Sequence, residues 1–167
     1  MNFPLLPFAV TEKLTDLTPE YLNQQGIKLL MLDFDNTIVP YTTSEPTEEM
    51  AAWLNQMTAS EITLCVVSNS KKERVKIFCA QWKLPCITHA YKPFSKGISQ
   101  CLKQFQMQPG QCALVGDQIF TDTLGANGCG VRPILVKAIN NHNIWLKLRH
   151  VAEMPFIFMA RNRRINK

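Results

Sequence analysis

The sequence predicts an α/β fold, a Rossmann-like parallel sheet of about five strands with helices on both faces. Three observations carry this. Short apolar runs recur along the chain, too continuous for strands with one wet face. Segments of helical periodicity separate them, which implies βαβ units. Polar residues gather where the runs end, the edge at which parallel sheets bind ligands.

The elements follow in order. Residues 18–26 read as a short helix: Thr18 caps it, Pro19 suits the first helical position, and Gly26 suits the position past the end. Ile27 to Phe34 is apolar apart from Lys28 and Asp33, as a strand covered on both faces should be. Glu48 to Met57 is helical, with Met50, Trp53, Leu54 and Met57 on one side. Ile62 to Val67 is the second strand. Ser70 can cap a helix from Lys71 to about Trp82, with Val75, Phe78 and Cys79 inward. Cys86 to His89 is a short third strand, and Ser95 to Phe105 a helix with Ile98, Leu102 and Phe105 inward. Pro109-Gly110 breaks the chain. Cys112 to Val115, a short helix over Phe120 to Asn127, and Pro133 to Val136 complete the pattern. No internal repeat or low-complexity segment interrupts it.

Composition sets limits. A chain of 167 residues suits one domain. It divides into an apolar arm and short helix (1–26), a core (27–137) and an amphipathic, basic C-terminal segment (138–167). Apolar residues at 46% and charged residues at 19% exclude wholesale disorder. No apolar stretch is long enough for a transmembrane helix. The apolar Met1 to Val10 stretch lacks a basic n-region and a small-residue cleavage site, so no secretory signal is expected. The six cysteines form no C-x-x-C pair, and buried thiols in a reducing cytosol are expected rather than zinc or disulfides. Charge is uneven. Residues 1–70 hold two Lys and nine Asp/Glu, a balance of −7, and residues 71–167 a balance of +12. The basic half points to an anionic partner, against the plainer reading of an uneven soluble surface.

The strand ends carry the chemistry. The first delivers Asp33-Phe34-Asp35-Asn36-Thr37, the second Ser68-Asn69-Ser70, the segment after the third Lys92-Pro93, and the fourth Gly116-Asp117 with Asp122 beyond. Carboxylates two residues apart near a buried strand repel unless a positive group joins them. Oxygen-only donors (Asp33, Asp117 and a backbone carbonyl) suit Mg²⁺, and the absence of His and Cys from these motifs disfavours zinc. One carboxylate can then attack phosphorus and the other handle a proton. Lys92 and the Ser68 hydroxyl would orient phosphoryl oxygens. The blander alternatives are a turn cap for Ser68, a surface lysine for Lys92, loop scaffolding for Asp122 and turn formation for Asn36 and Asn69, although Asn69 could also bond a phosphate. His89, His142 and His150 have no ligand spacing.

This ordered set resembles the haloacid dehalogenase superfamily of phosphohydrolases over roughly residues 27–137. Its four motifs correspond to Asp33 through Thr37, Ser68, Lys92, and Gly116-Asp117 with Asp122. The resemblance implies Asp33 as nucleophile and Asp35 as general acid/base. It also implies Mg²⁺ held by Asp33, the Asp35 carbonyl and Asp117, with Asp122 nearby, and phosphate contacts from Ser68, Asn69, Lys92 and Thr37. About thirty residues between Asp35 and Ser68, and one helix and strand between Lys92 and Asp117, leave no room for a cap domain. The chain therefore looks like a capless, subclass IIIA phosphatase with an open site. A closer resemblance is to the phosphatidylglycerophosphate phosphatase branch, in Gly26-Ile27-Lys28 leading into L-D-F-D-N-T and in Gly116 through Asp122 followed by Gly125 and Asn127. The Ala9-Val10-Thr11 stretch and the C-terminal tail depart from that pattern.

The expected activity is Mg²⁺-dependent dephosphorylation of phosphatidylglycerophosphate. The rivals are a phosphatase of a soluble sugar phosphate or nucleotide and a non-catalytic phosphate-binding regulator. A receiver domain would place its acceptor Asp on a later strand, and none ends the second or third. The expected partner is anionic phospholipid at a membrane surface, without nucleic acid or an obligate protein partner. The expected location is cytoplasmic, with peripheral attachment to the inner membrane face. Ile144, Trp145, Leu148, Val151 and Ala152 share a helical arc, and an apolar Pro155 to Met159 stretch precedes Arg161, Arg163, Arg164 and Lys167. This reads as an interfacial anchor, or as a packed helix with a solvated tail. The apolar Phe3 to Val10 stretch could join either role.

Overall fold

The computed structural model describes residues 4–71, 73–140 and 153–165. The strands are β1 (Ala9–Thr11), β2 (Leu29–Leu32), β3 (Thr63–Val67), β4 (Cys86–Ile87), β5 (Cys112–Gly116) and β6 (Arg132–Val136). The helices are α1 (Pro19–Gln24), α2 (Glu48–Thr58), α3 (Glu73–Gln81), α4 (Lys96–Phe105) and α5 (Leu124–Gly128). A π-helical turn, Ile119–Thr123, leads directly into α5. Residues 153–159 are helical as well.

All strand pairs are parallel, in the order β1-β6-β5-β2-β3-β4. Strand β2 is central: Leu29 pairs with Thr63 of β3 on one side and Cys112 of β5 on the other. Its alternation divides the core into two layers. Leu30 and Leu32 face α2 and α3, with Trp53, Leu54 and Phe78. Leu29 and Met31 face α4 and α5, with Ile98, Cys101 and Ala126. Every β2 residue is buried, which explains the continuous apolar run.

Local signals explain the ends. The Thr18 hydroxyl accepts from Tyr21 N at 3.2 Å, and the Thr47 hydroxyl accepts from Met50 N at 3.2 Å. Gly26 has φ +69°, the left-handed conformation that stops α1. Trp53 Nε1 donates to Leu17 O at 2.7 Å, pinning α2 to the segment before α1.

The sheet has six strands rather than about five. The extra strand, β1, lies in the stretch read as an apolar arm. It pairs Ala9 with Ile134 of β6, and three residues are too few to show a period. The third strand is shorter than Cys86 to His89, because His89 has φ +55° and leaves the extended region. The helix expected from Phe120 begins as the π-turn at Ile119. All six cysteines are free, and burial pushes the Cys112 thiol up to about 11. Among the described residues no helix is long and apolar enough to cross a membrane. The proposed arc from Ile144 to Ala152 lies outside the described residues.

Candidate active site

The carboxyl ends of β2, β3 and β5, which neighbour one another in the sheet, meet at the point where chain order reverses on either side of β2. Asp33 follows β2, Ser68 follows β3 and Asp117 follows β5. Asp33 N donates to Val115 O at 2.8 Å, so the sheet ladder still holds this backbone.

Lys92 is brought in from beyond β4. His89 and Tyr91 both adopt positive φ, +55° and +58°, and turn the chain back over the sheet edge. Asn69 fastens the result: Lys92 N donates to its Oδ1 at 2.7 Å, and its Nδ2 donates to Lys92 O at 2.8 Å. Gly97 is needed beneath, since a Cβ there would lie 2.5 Å from Ala90 Cβ. The Lys92 ammonium, 1% exposed, sits 2.7 Å from Asp33 Oδ1 and 2.7 Å from Asp122 Oδ1.

Asp33, Asp117 and Asp122 are all buried, and each offers a carboxylate oxygen within 4.8 Å of the others. Asp122 is held by Gln118 N, which donates to its Oδ2 at 3.2 Å. Gly116 makes this possible, because an added Cβ would overlap the Asp122 carboxyl. Three buried carboxylates facing one lysine form an oxygen-only set with excess negative charge. That donor chemistry fits a hard divalent cation of the Mg²⁺ type.

Burial pushes the Asp122 carboxyl up to about 6, against the pull of Lys92 and with the push of Asp33. Burial also works against the Lys92 ammonium, but the carboxylates of Asp122 and Asp33 outweigh it and hold the lysine above its usual range. The Asp122 value in the fold lies above its ordinary 3.8. Its contribution to stability is therefore complete below that pH and is lost as pH rises through about 6. The metal-free protein is therefore expected to lose stability as pH rises through about 6. Denaturant titrations of metal-free wild type and Asp122→Asn check this. Parallel pH dependences in the two proteins would contradict it.

The Ser68 hydroxyl accepts from Ser70 N at 3.1 Å, leaving its proton to donate elsewhere. Thr37 is buried, and its Oγ1 has no hydrogen-bond partner among the described residues. Asn36, at φ +62°, makes the turn after Asp35, and its Oδ1 accepts from Tyr41 N at 3.2 Å. Both ends of the Asn69 amide lie on the Lys92 backbone. Asp35 stands apart from the three-carboxylate cluster, and its Oδ1 is paired with Arg74 Nη2.

Arg74 has no counterpart in the sequence reading. From the first turn of α3 its Nη1 also donates to Tyr41 O at 3.0 Å and to Thr43 O at 2.5 Å. Its guanidinium lies 5.1 Å from the Phe34 ring centre. One side chain thus ties Asp35 to the loop that precedes α2. Glu153, the other unforeseen residue, is 2% exposed and accepts from Ile119 N at 2.9 Å and Phe120 N at 3.4 Å.

The chain is similar to several known proteins. A family profile described as mitochondrial PGP phosphatase matches residues 3–139. The protein named Probable phosphatase YqeG of Bacillus subtilis (strain 168) is 32% identical over 131 residues, covering 78% of this chain and 76% of that one. Among solved structures, the cobalt-bound deoxy-D-mannose-octulosonate 8-phosphate phosphatase of Haemophilus influenzae superposes with a TM-score of 0.54 at 12% identity, covering 81% of this chain and 92% of that one. A HAD-superfamily hydrolase of subfamily IA from Geobacter sulfurreducens PCA gives a TM-score of 0.50 at 14% identity, covering 70% and 90%. These two share the fold. The profile and the Bacillus relative carry the assignment further: the chain belongs to the mitochondrial PGP phosphatase family.

Proposed function

We propose that the chain is a Mg²⁺-dependent phosphomonoesterase that dephosphorylates phosphatidylglycerophosphate at a membrane surface through an aspartyl-phosphate on Asp33. The observation that carries this reading is the buried ammonium of Lys92, whose Nζ lies 2.7 Å from both Asp33 and Asp122 in the same cluster as Asp117. Asp33, Asp117 and Asp122, with the Asp35 carbonyl, would hold the cation. Bound there, Mg²⁺ supplies positive charge against the phosphoryl oxygens.

An Asp33 carboxylate oxygen attacks phosphorus, the bond to the leaving alkoxide breaks, and Asp35 gives that alkoxide a proton. Water then attacks phosphorus, Asp35 takes back a proton, and the bond to Asp33 breaks to release inorganic phosphate. Lys92 and the Ser68 hydroxyl orient phosphoryl oxygens. Asn69 serves by holding Lys92. Arg74 keeps the Asp35 carboxyl placed. Arg74→Ala is therefore expected to lower kcat on a soluble ester about tenfold or more, with KM much less affected. Equal loss in both constants would deny Arg74 that role.

Several features support lipid as the substrate carrier. The family's description names PGP. Neither connection beside the site holds a covering domain. Phe94, two residues after Lys92, is 73% exposed, and Met154, Phe158 and Met159 are exposed on the C-terminal helix near Arg163 and Arg164. The test is phosphate release, with and without Mg²⁺, from phosphatidylglycerophosphate in mixed micelles and from sugar phosphates and nucleotides. Preference for the lipid by at least about tenfold in kcat/KM is expected, a modest specificity margin. Preference for a soluble ester would move the substrate to that class, and no release from any ester would remove the catalytic reading.

A further inference from the structure

We propose that Glu153 is a positioning residue for the cation site, acting from the C-terminal helix on the turn that joins Asp117 to Asp122. The inference rests on the Mg²⁺ reading above and adds to it a residue outside the matched family region, which ends at residue 139.

Three consecutive amides of this turn are divided between two carboxylates. Gln118 N donates to Asp122 Oδ2 at 3.2 Å. Ile119 N and Phe120 N donate to Glu153 Oε1 at 2.9 and 3.4 Å. Ile119 is fully buried and Glu153 nearly so, so water cannot easily substitute. A carboxylate at the start of the helical run Ile119–Gly128 also suits the partial positive charge of its first amides. Without Glu153, two amides beside Asp122 lose their acceptor.

The helix bearing Glu153 and the residues that follow it are secured at several points. The Phe156 ring meets Phe120 edge-on, with centres 6.3 Å apart. Ala160 is fully buried, Arg163 Nη1 donates to Pro7 O at 2.6 Å, and Ile165 N donates to Val10 O at 3.0 Å. The segment therefore runs as a strap from the cation turn to the sheet edge at β1. Its effect passes through the placement of Asp117 and Asp122.

The test is calorimetric titration of metal-free full-length protein with Mg²⁺, together with the rise in melting temperature at fixed Mg²⁺. Glu153→Ala is expected to weaken Mg²⁺ binding about tenfold, the low end for residues that support metal ligands. Its Mg²⁺-dependent gain in melting temperature should shrink in step. Glu153→Gln, which keeps an accepting oxygen, should stay within about threefold of wild type. Phe156→Ala should lower the melting temperature and leave Mg²⁺ affinity within about twofold, because the ring contributes packing alone. Wild-type affinity in folded Glu153→Ala overturns the proposal, as does equal weakening by Phe156→Ala. If Glu153→Ala does not fold, Glu153→Asp, a methylene too short to reach both amides, takes its place under the same criteria. A wild-type protein that takes up no Mg²⁺ overturns the cation site itself, and this inference with it.

Discussion

Replacing Asp33 by asparagine is expected to abolish phosphate release, by about 10⁴-fold or more, the scale seen when a covalent nucleophile is removed. The amide has nearly the same shape but no charged oxygen to attack phosphorus. It should leave the fold intact. Asp33 N keeps its ladder bond to Val115 O, and Lys92 keeps Asp122 at 2.7 Å. Removing one of three crowded carboxylates also relieves repulsion, so the melting temperature of the metal-free variant should hold or rise. Steady-state phosphate release and chemical trapping of the acyl-phosphate check the first expectation, and thermal denaturation the second. Turnover near the wild-type level would dismiss Asp33 as the attacking group.

Lys92→Ala carries the second large effect, on both stability and rate. Lys92 is the ammonium between Asp33 and Asp122, and all three groups are buried. Deleting one partner of a buried ion pair leaves charge without compensation and costs about 3–5 kcal/mol. For a chain of this size that is a drop of about 10 °C in melting temperature. Loss of a phosphoryl-oxygen contact should lower kcat by about 10²–10³-fold as well. A divalent cation supplies part of the missing positive charge. The gain in melting temperature on adding Mg²⁺ should therefore be larger in Lys92→Ala than in wild type. A smaller gain would mean that Lys92 and the cation do not address the same carboxylates.

Much of this site can be read from the chain because its parts lie at strand ends, and strand ends are local. The apolar run into Asp33 and the Gly116-Asp117 turn after β5 mark themselves by composition. The cluster of Asp33, Asp117, Asp122 and Lys92 follows once the strands are laid side by side. Arg74 and Glu153 were not legible for the opposite reason. An arginine in the first turn of a helix reads as a solvated charge, and only the folded loop brings the carbonyls of Tyr41 and Thr43 to it. Glu153 meets Ile119 across 34 residues, a contact with no local period. Strand β1 escaped because three residues carry no alternation, and its pairing with β6 is entirely long-range. The Asn69 amide could be predicted as a turn former or a phosphate contact. Its grip on the Lys92 backbone depends on two positive-φ residues that nothing in the sequence announces.

The two margins of the sheet have a bearing on how copies of this molecule behave when crowded. Unpaired strand backbone invites another chain to add itself on, the usual route to aggregation. Here one margin is β4, only two residues long, and the other is β1, where Val10 bridges to Arg164 of the same chain. Neither margin leaves much bare backbone for a neighbouring molecule to zip onto. Self-association through added strands is disfavoured by the course of the chain itself, and loss of the Val10–Arg164 bridge would expose β1 to that hazard.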